Sequence, residues 1–423
     1  MSSFIKKIYD PELGRVETSQ GQMRLIAIFI PVFFEYLLMN MMNTVNTWVL
    51  SYYADQSVAA VGSAGQFMAM VMTFYTVISS GAAVVMGQKI GARKTDEASD
   101  AAFCSLLFIS LLGLTVSAAL SLNARRVMML MNITGEVLDE AEVYFRIVIR
   151  FSFLSGINSV IFAIFRTSGR PKISVMINMI MNIINAVLNC LVVFRPFDFP
   201  LKGISGIGWS YALSLCCASL ISFIVFIRIP SGISFRGKGL RTLRNIRQIL
   251  IIGIPGGISS FSYSISQVVT TSMIAALGVT AISTKIYVSN LVYYVYVLGM
   301  SLGSSTSLMI SWLAGAGLYD QAYRLNLQNL KITAVLNGSL SSLLFLFGFP
   351  LLGMFTDDPA ILSAGRTLLA IDIFVEIFRG FNHIEEFSLR GAGDVVYPMI
   401  VASASCWIMS VGFAWLLGIH LGF

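Results

Sequence analysis

Gly87-Gln88-Lys89-Ile90-Gly91-Ala92 closes one long apolar run, and Ser311-Trp312-Leu313-Ala314-Gly315-Ala316 closes another, Gly315 lying 224 residues after Gly91. The same offset carries Pro31 onto Pro255, Asp96 onto Asp320, Ala98 onto Ala322, Arg166 onto Arg390 and Gly169 onto Gly393. These identities fall at kinks and hydrophilic joints rather than inside apolar runs, where coincidence is easy. The chain therefore reads as an internal duplication.

Working outward, 56% of the residues are hydrophobic and 12% charged, with a mean hydropathy of +0.80. A soluble domain has about 45–50% apolar and about 25% charged residues. The composition is that of a polytopic integral membrane protein. Lipid offers no partner to backbone N–H and C=O groups, so long continuous apolar runs must be helices. Spans are expected near 24–51, 58–87, 101–123, 143–165, 172–194 and 204–228, then near 248–277, 281–312, 327–349, 360–389 and 395–419. Residues 1–229 form a first lobe, 230–247 a basic cytoplasmic linker and 248–423 a second lobe. A sixth span of the second copy would fall beyond Phe423. The expected fold class is all-α, a polytopic membrane protein of two repeats with six helices and then five.

Basic residues set the orientation. Lys6, Lys7, Arg15 and Arg24, then Lys89, Arg93 and Lys94, Arg166, Arg170 and Lys172, and Arg228 to Arg247 fall on one side, while Glu136, Asp139, Glu140, Asp357 and Asp358 fall on the other. The positive-inside rule puts the N-terminus in the cytoplasm. The net charge of +7 is then topological, with no nucleic-acid partner expected. Five cysteines in apolar runs and two histidines lack metal spacing. No nucleotide loop or nucleophile elbow occurs, so neither an enzyme nor a bound cofactor is expected, and an ion gradient must drive any uphill work.

The joints carry a family resemblance. Ala59-Ala60-Val61-Gly62, Gly87 to Ala92 and Arg166-Thr167-Ser168-Gly169-Arg170-Pro171 stand in the first half, Ser311 to Ala316 and Arg390-Gly391-Ala392-Gly393-Asp394 in the second. With Pro31 and Gly203-Ile204-Ser205-Gly206-Ile207-Gly208, they resemble the multidrug and toxic compound extrusion (MATE) family from about residue 24 to the end. The resemblance implies two six-helix bundles related by a pseudo-two-fold, the twelfth helix missing from the expected set, with a central cleft between them in a bacterial inner membrane. It implies export of organic cations or other amphiphilic drugs and metabolites against protons or sodium, with substrate and lipid as partners and a monomeric state. The joint glycines and arginines themselves read as structural punctuation. Thr134 and Asp358, again 224 apart, suit helix N-caps.

The acids of that family are displaced here. The first span reads Val45-Asn46-Thr47 where members have Val-Asp-Thr. Tyr263 stands eight residues after Pro255 in place of a Glu, and Arg379 eleven before Arg390 in place of an Asp. Glu35 remains, on one face of the first span with Met39, Asn43 and Asn46. A carboxylate at that depth costs several kcal/mol unless paired or wetted, which suits a proton-coupling group; the alternative is a Glu hydrogen-bonded for packing. On the fifth span Asn178, Asn182, Asn185 and Asn189 share a face, and Asn185 and Asn189 resemble the family's partners of the first-span acid. Without a carboxylate at Asn46 or Asn189, protons are favoured over sodium.

The tenth span is the most polar. Asp372, Glu376, Arg379, His383 and Glu386 follow steps of 4, 3, 4 and 3 and form one stripe, with Glu376 placed to pair with Arg379, and Arg379 with Asp372 or His383. Such a stripe must face the protein interior or a cleft. It is either a static ion-pair ladder or a protonation-driven switch centred on Asp372 and Glu376. Met39, Asn43, Tyr263 and Gln267 are the expected substrate-cleft residues. Arg146 and Arg150 either pair with Glu142 or reach headgroups, or they point inward and favour an anionic lipid. Three function classes fit: a cation-antiporting exporter, a flippase for lipid-linked saccharide, and a non-transporting membrane interaction protein.

Overall fold

The computed structural model describes residues 13, 15–18, 21–51, 55–130, 135–194, 203–228 and 242–420, with the backbone alone described at 21–22, 39–51, 55–59, 242 and 419. A short antiparallel hairpin, β1 (Arg15–Thr18) and β2 (Gly21–Arg24), comes first. Val16 on β1 is 4% exposed, and β1 touches a helix of the second half. This hairpin was not legible as a strand pair, since four-residue polar strands carry almost no periodicity.

The first half contains α1 (Leu25–Ser51), α2 (Asp55–Gly91), α3 (Thr95–Leu122), the short α4 (Ala124–Met129), α5 (Glu136–Thr167), α6 (Pro171–Phe194) and α7 (Gly203–Arg228). The second contains α8 (Thr242–Ala276), α9 (Val279–Gly315), α10 (Tyr319–Leu346), the short α11 (Gly348–Leu352), α12 (Pro359–Ala392) and α13 (Val396–Ser405), which runs on in wider π-helical turns to His420. Each expected span finds its helix. Among the described residues nine helices have the length and apolarity to cross a membrane; α12 is long enough but too charged to be counted with them. The start of α8 at Thr242 extends helix into the expected linker, because Asn245 and Ile249 are buried there.

Two compact units emerge. One holds Phe34–Gly253, the other the residues up to Phe33 with Ile254–Phe423. In the first unit α5 packs on α2, α3 and α7, and α2 on α3. In the second α12 packs on α9 and α10, and α9 on α10. The second, third and fourth spans of each copy thus make the same set of contacts, which is the duplication expressed as packing.

Backbone geometry repeats as well. After α2 the chain turns through Arg93 at φ 58°, and after α9 through Gly317 at φ 76°, the position 224 residues later. Both turns close with the same bonds, Lys94 N to Lys89 O at 2.9 Å and Leu318 N to Leu313 O at 2.9 Å. Gly169 and Gly393 likewise take left-handed φ of 71° and 101° at the ends of α5 and α12, each completing a Schellman-type stop. Asp358 caps α12 as expected, its Oδ1 accepting from Ala360 N at 2.9 Å, with Pro359 in the first helical position. Thr134 lies outside the described residues.

Close helix approach in the first unit rests on small residues. A Cβ on Gly81 of α2 would collide with the carbonyl oxygen of Ile249, and one on Gly253 of α8 with that of Val77. Lys89 fastens the same crossing, its Nζ donating to Asn245 Oδ1 at 3.0 Å. In lipid, where tails are as apolar as leucine, such backbone-to-backbone packing is what holds helices together.

Candidate ion-coupling site

α12 carries its charged stripe into the interior of its unit. Glu376 is 0% exposed, and Arg379, one turn on, donates to its Oε1. Glu376 Oε2 and Asp372 Oδ2 have no protein partner. His383 meets the Tyr296 ring of α9 edge-on at 5.3 Å, its Nε2 also without a protein partner. Glu386 turns away from this set and accepts from Arg390 Nη2 at 2.5 Å. The stripe therefore holds two separate pairs, Glu376 with Arg379 and Glu386 with the joint arginine, in place of the continuous ladder that was one of its two readings.

Opposite α12 stands a row of buried polar residues on α10 that the sequence analysis did not single out: Asn326, Asn329, Thr333, Asn337 and Ser341. Asn337 Nδ2 donates to the Glu376 carbonyl at 3.0 Å, and Asn326 Nδ2 to Glu385 Oε1 at 3.0 Å. Steps of 3, 4, 4 and 4 were a readable signal, the same kind that marked the asparagines of the fifth span.

The first unit holds a second acid–arginine pair. Glu35 of α1 accepts from Arg166 Nη1 of α5 at 3.3 and 3.4 Å, the two side chains being 12% and 26% exposed. Arg166 belongs to the joint that read as punctuation; it supplies the counter-charge that makes a half-buried carboxylate tolerable. On α6, Asn182 Nδ2 donates to Asn178 Oδ1 and Asn189 Nδ2 to Asn185 Oδ1, both at 3.4 Å, with Asn185 and Asn189 buried. The asparagine stripe thus bonds along itself. The side chains of Met39, Asn43 and Asn46 lie outside those described. On α8, Tyr263 is exposed and Gln267 half-buried.

Arg146 donates to Glu142, and Arg125 joins the cluster by donating to Glu142 Oε2 at 2.7 Å and Asp139 Oδ1 at 2.9 Å. Those bonds, Glu142 foremost, raise the Arg125 guanidinium above its ordinary pKa. Among the described residues, no three His, Cys, Asp or Glu side chains gather as a metal site.

A sequence model of the MatE family matches residues 31–191 and again 255–416, two segments that begin at the paired prolines Pro31 and Pro255. The chain belongs to the MatE family. It is a polytopic membrane protein of that class of multidrug efflux transporters. An uncharacterized transporter, YisQ of Bacillus subtilis, is 31% identical over 401 residues, covering 94% of this chain and 88% of its own. A probable multidrug resistance protein NorM of Thermotoga maritima is 22% identical, covering 96% and 87%. Among solved structures, a MATE in complex with MaD3S superposes with a TM-score of 0.86 at 20% identity, over 94% of this chain and 88% of that one. A MOP superfamily transporter from Pyrococcus furiosus superposes at 0.83 and 20% identity, with the same coverage. These likenesses establish the family fold; the site is this chain's own.

Proposed function

We propose that this chain exports organic cations or amphiphilic drugs and metabolites across a bacterial inner membrane, N-terminus in the cytoplasm, by antiport against protons. The observation that carries the reading is the fully buried Glu376 carboxylate held by Arg379. While Glu376 is ionised, the pair is neutral and α12 can stay packed on α9 and α10. Protonation removes the negative charge and leaves the guanidinium without its counter-charge, and an uncompensated charge in a low-dielectric interior costs several kcal/mol. A group with two such states biases any conformational equilibrium of its helix. The Glu35–Arg166 pair offers the same chemistry in the other unit.

Protons are favoured over sodium because a metal ion on the unpartnered Glu376 Oε2 would sit beside Arg379, a cation already in place. The naming of relatives as multidrug resistance proteins supports a broad organic substrate. Of Arg146 and Arg150, which would favour an anionic lipid if they pointed inward, Arg146 is engaged by Glu142, which supports the drug-export reading. In reconstituted vesicles, an imposed pH gradient should drive uptake of a fluorescent organic cation while a sodium gradient alone does not. Uptake driven by sodium and indifferent to pH would contradict the assignment.

A further inference from the structure

Four α10 side chains that the coupling pairs do not use, Asn329, Thr333, Asn337 and Ser341, are 0%, 0%, 1% and 2% exposed. Each has an oxygen with no protein partner: Asn329 Oδ1, Thr333 Oγ1, Asn337 Oδ1 and Ser341 Oγ. Leaving a buried polar group unsatisfied is costly, so four in a row, facing the similarly unpartnered Glu376 Oε2 and His383 Nε2, would consume much of a protein's stability. Buried groups of this kind are satisfied by internal water, which makes about three hydrogen bonds at each site.

Register places these oxygens along one seam. Asn337 is level with Glu376, since Asn337 Nδ2 reaches its carbonyl. Thr333 is level with Gly380, where a Cβ would collide with Thr333 Cγ2. Asn326 is level with Glu385 and Ser388, accepting from Ser388 Oγ at 2.7 Å. The two helices run antiparallel, and the α10 oxygens recur about every 6 Å, four residues at about 1.5 Å each. One water bridging two oxygens through hydrogen bonds of about 2.8 Å at its tetrahedral angle spans about 4.6 Å, so one or two waters fill each interval.

We propose that the α10–α12 seam holds a file of bound water, and that this file carries protons between Glu376 and Glu385. The inference rests on the proton-antiport reading above. In the step, protonated Glu376 gives its proton to the adjoining water as Arg379 re-forms the ion pair, each water passes one proton on, and the last gives one to the Glu385 carboxylate. The charged and titratable groups facing Glu376 are Asp372, Arg379 and His383 on its own helix; Tyr296 of α9 lies against His383, and the facing row of α10 contributes none. Thr333 and Asn329 act as positioning residues for the water.

The test is substrate-driven proton flux in vesicles loaded with a pH-sensitive dye, for wild type, Thr333→Val and Thr333→Ser. Replacing a hydroxyl by a methyl of the same shape removes one hydrogen bond to the water and should slow proton flux by about tenfold. Affinity for a fluorescent organic cation should be unchanged, and Thr333→Ser should restore the rate. Wild-type-like flux in Thr333→Val, with coupling intact in the wild type, would overturn the water file alone. Absence of any proton flux in wild type would overturn the antiport reading, and the file with it. Should Thr333→Val fail to fold, Asn329→Leu read against wild type by the same dye carries the same two outcomes.

Discussion

Glu376 and Arg379 sit on one helical turn, yet one is wholly enclosed and the other 32% exposed at its side chain, so the two substitutions are unequal. Removing the partner of a fully buried charge costs about 3–5 kcal/mol, and the partial exposure of Arg379 lowers this to about 2–3 kcal/mol for Arg379→Ala. Glu376→Gln retains shape, and the guanidinium it leaves without a counter-charge is partly exposed rather than enclosed, so its cost should be smaller. Melting curves in detergent should place Arg379→Ala below Glu376→Gln at pH 8. The gap should narrow as pH falls, because protonating Glu376 removes the orphan charge that Arg379→Ala creates. Gly380 is the second residue that fixes this site: with its would-be Cβ against Thr333, Gly380→Ala should lower stability by about 1–3 kcal/mol and impair transport together.

Among elements, the turns show how far the duplication reaches. Gly317 and Arg93 occupy equivalent left-handed positions, and nothing lies within 4 Å of a Cβ built on Gly317. Gly317→Ala therefore isolates backbone strain, expected at about 1–2 kcal/mol, and thermal denaturation should show it without loss of substrate affinity. At the crossing of α2 and α8 the space is closed, so Gly81→Ala and Gly253→Ala should both disturb packing, since either methyl would strike a carbonyl oxygen. The elements themselves were legible because membrane spans announce themselves by length and apolarity. The β1–β2 hairpin, the short α4 and α11 and the Thr242 start of α8 escaped, the first three too short for periodicity and the last hidden in a run of arginines.

Across the whole molecule, each compact unit contains an acid–arginine pair within its apolar spans, Glu35 with Arg166 and Glu376 with Arg379. Both acids were visible in the sequence as carboxylates in apolar runs. The Arg379 partner was visible too, because it lies three residues away on the same helix. Arg166 was not, since it is 131 residues from Glu35 and only folding brings them together. The α10 row went unread because neutral amides and hydroxyls barely lower the apolarity of a span, although their spacing was there to see. Proton coupling through the α12 pair is tested most directly by measuring proton and organic-cation flux simultaneously in the same vesicles, for wild type and Glu376→Gln. Wild type should move protons and substrate in opposite directions in a fixed ratio, while Glu376→Gln binds substrate, loses gradient-driven transport and moves no protons; undiminished proton-coupled export by Glu376→Gln would contradict it.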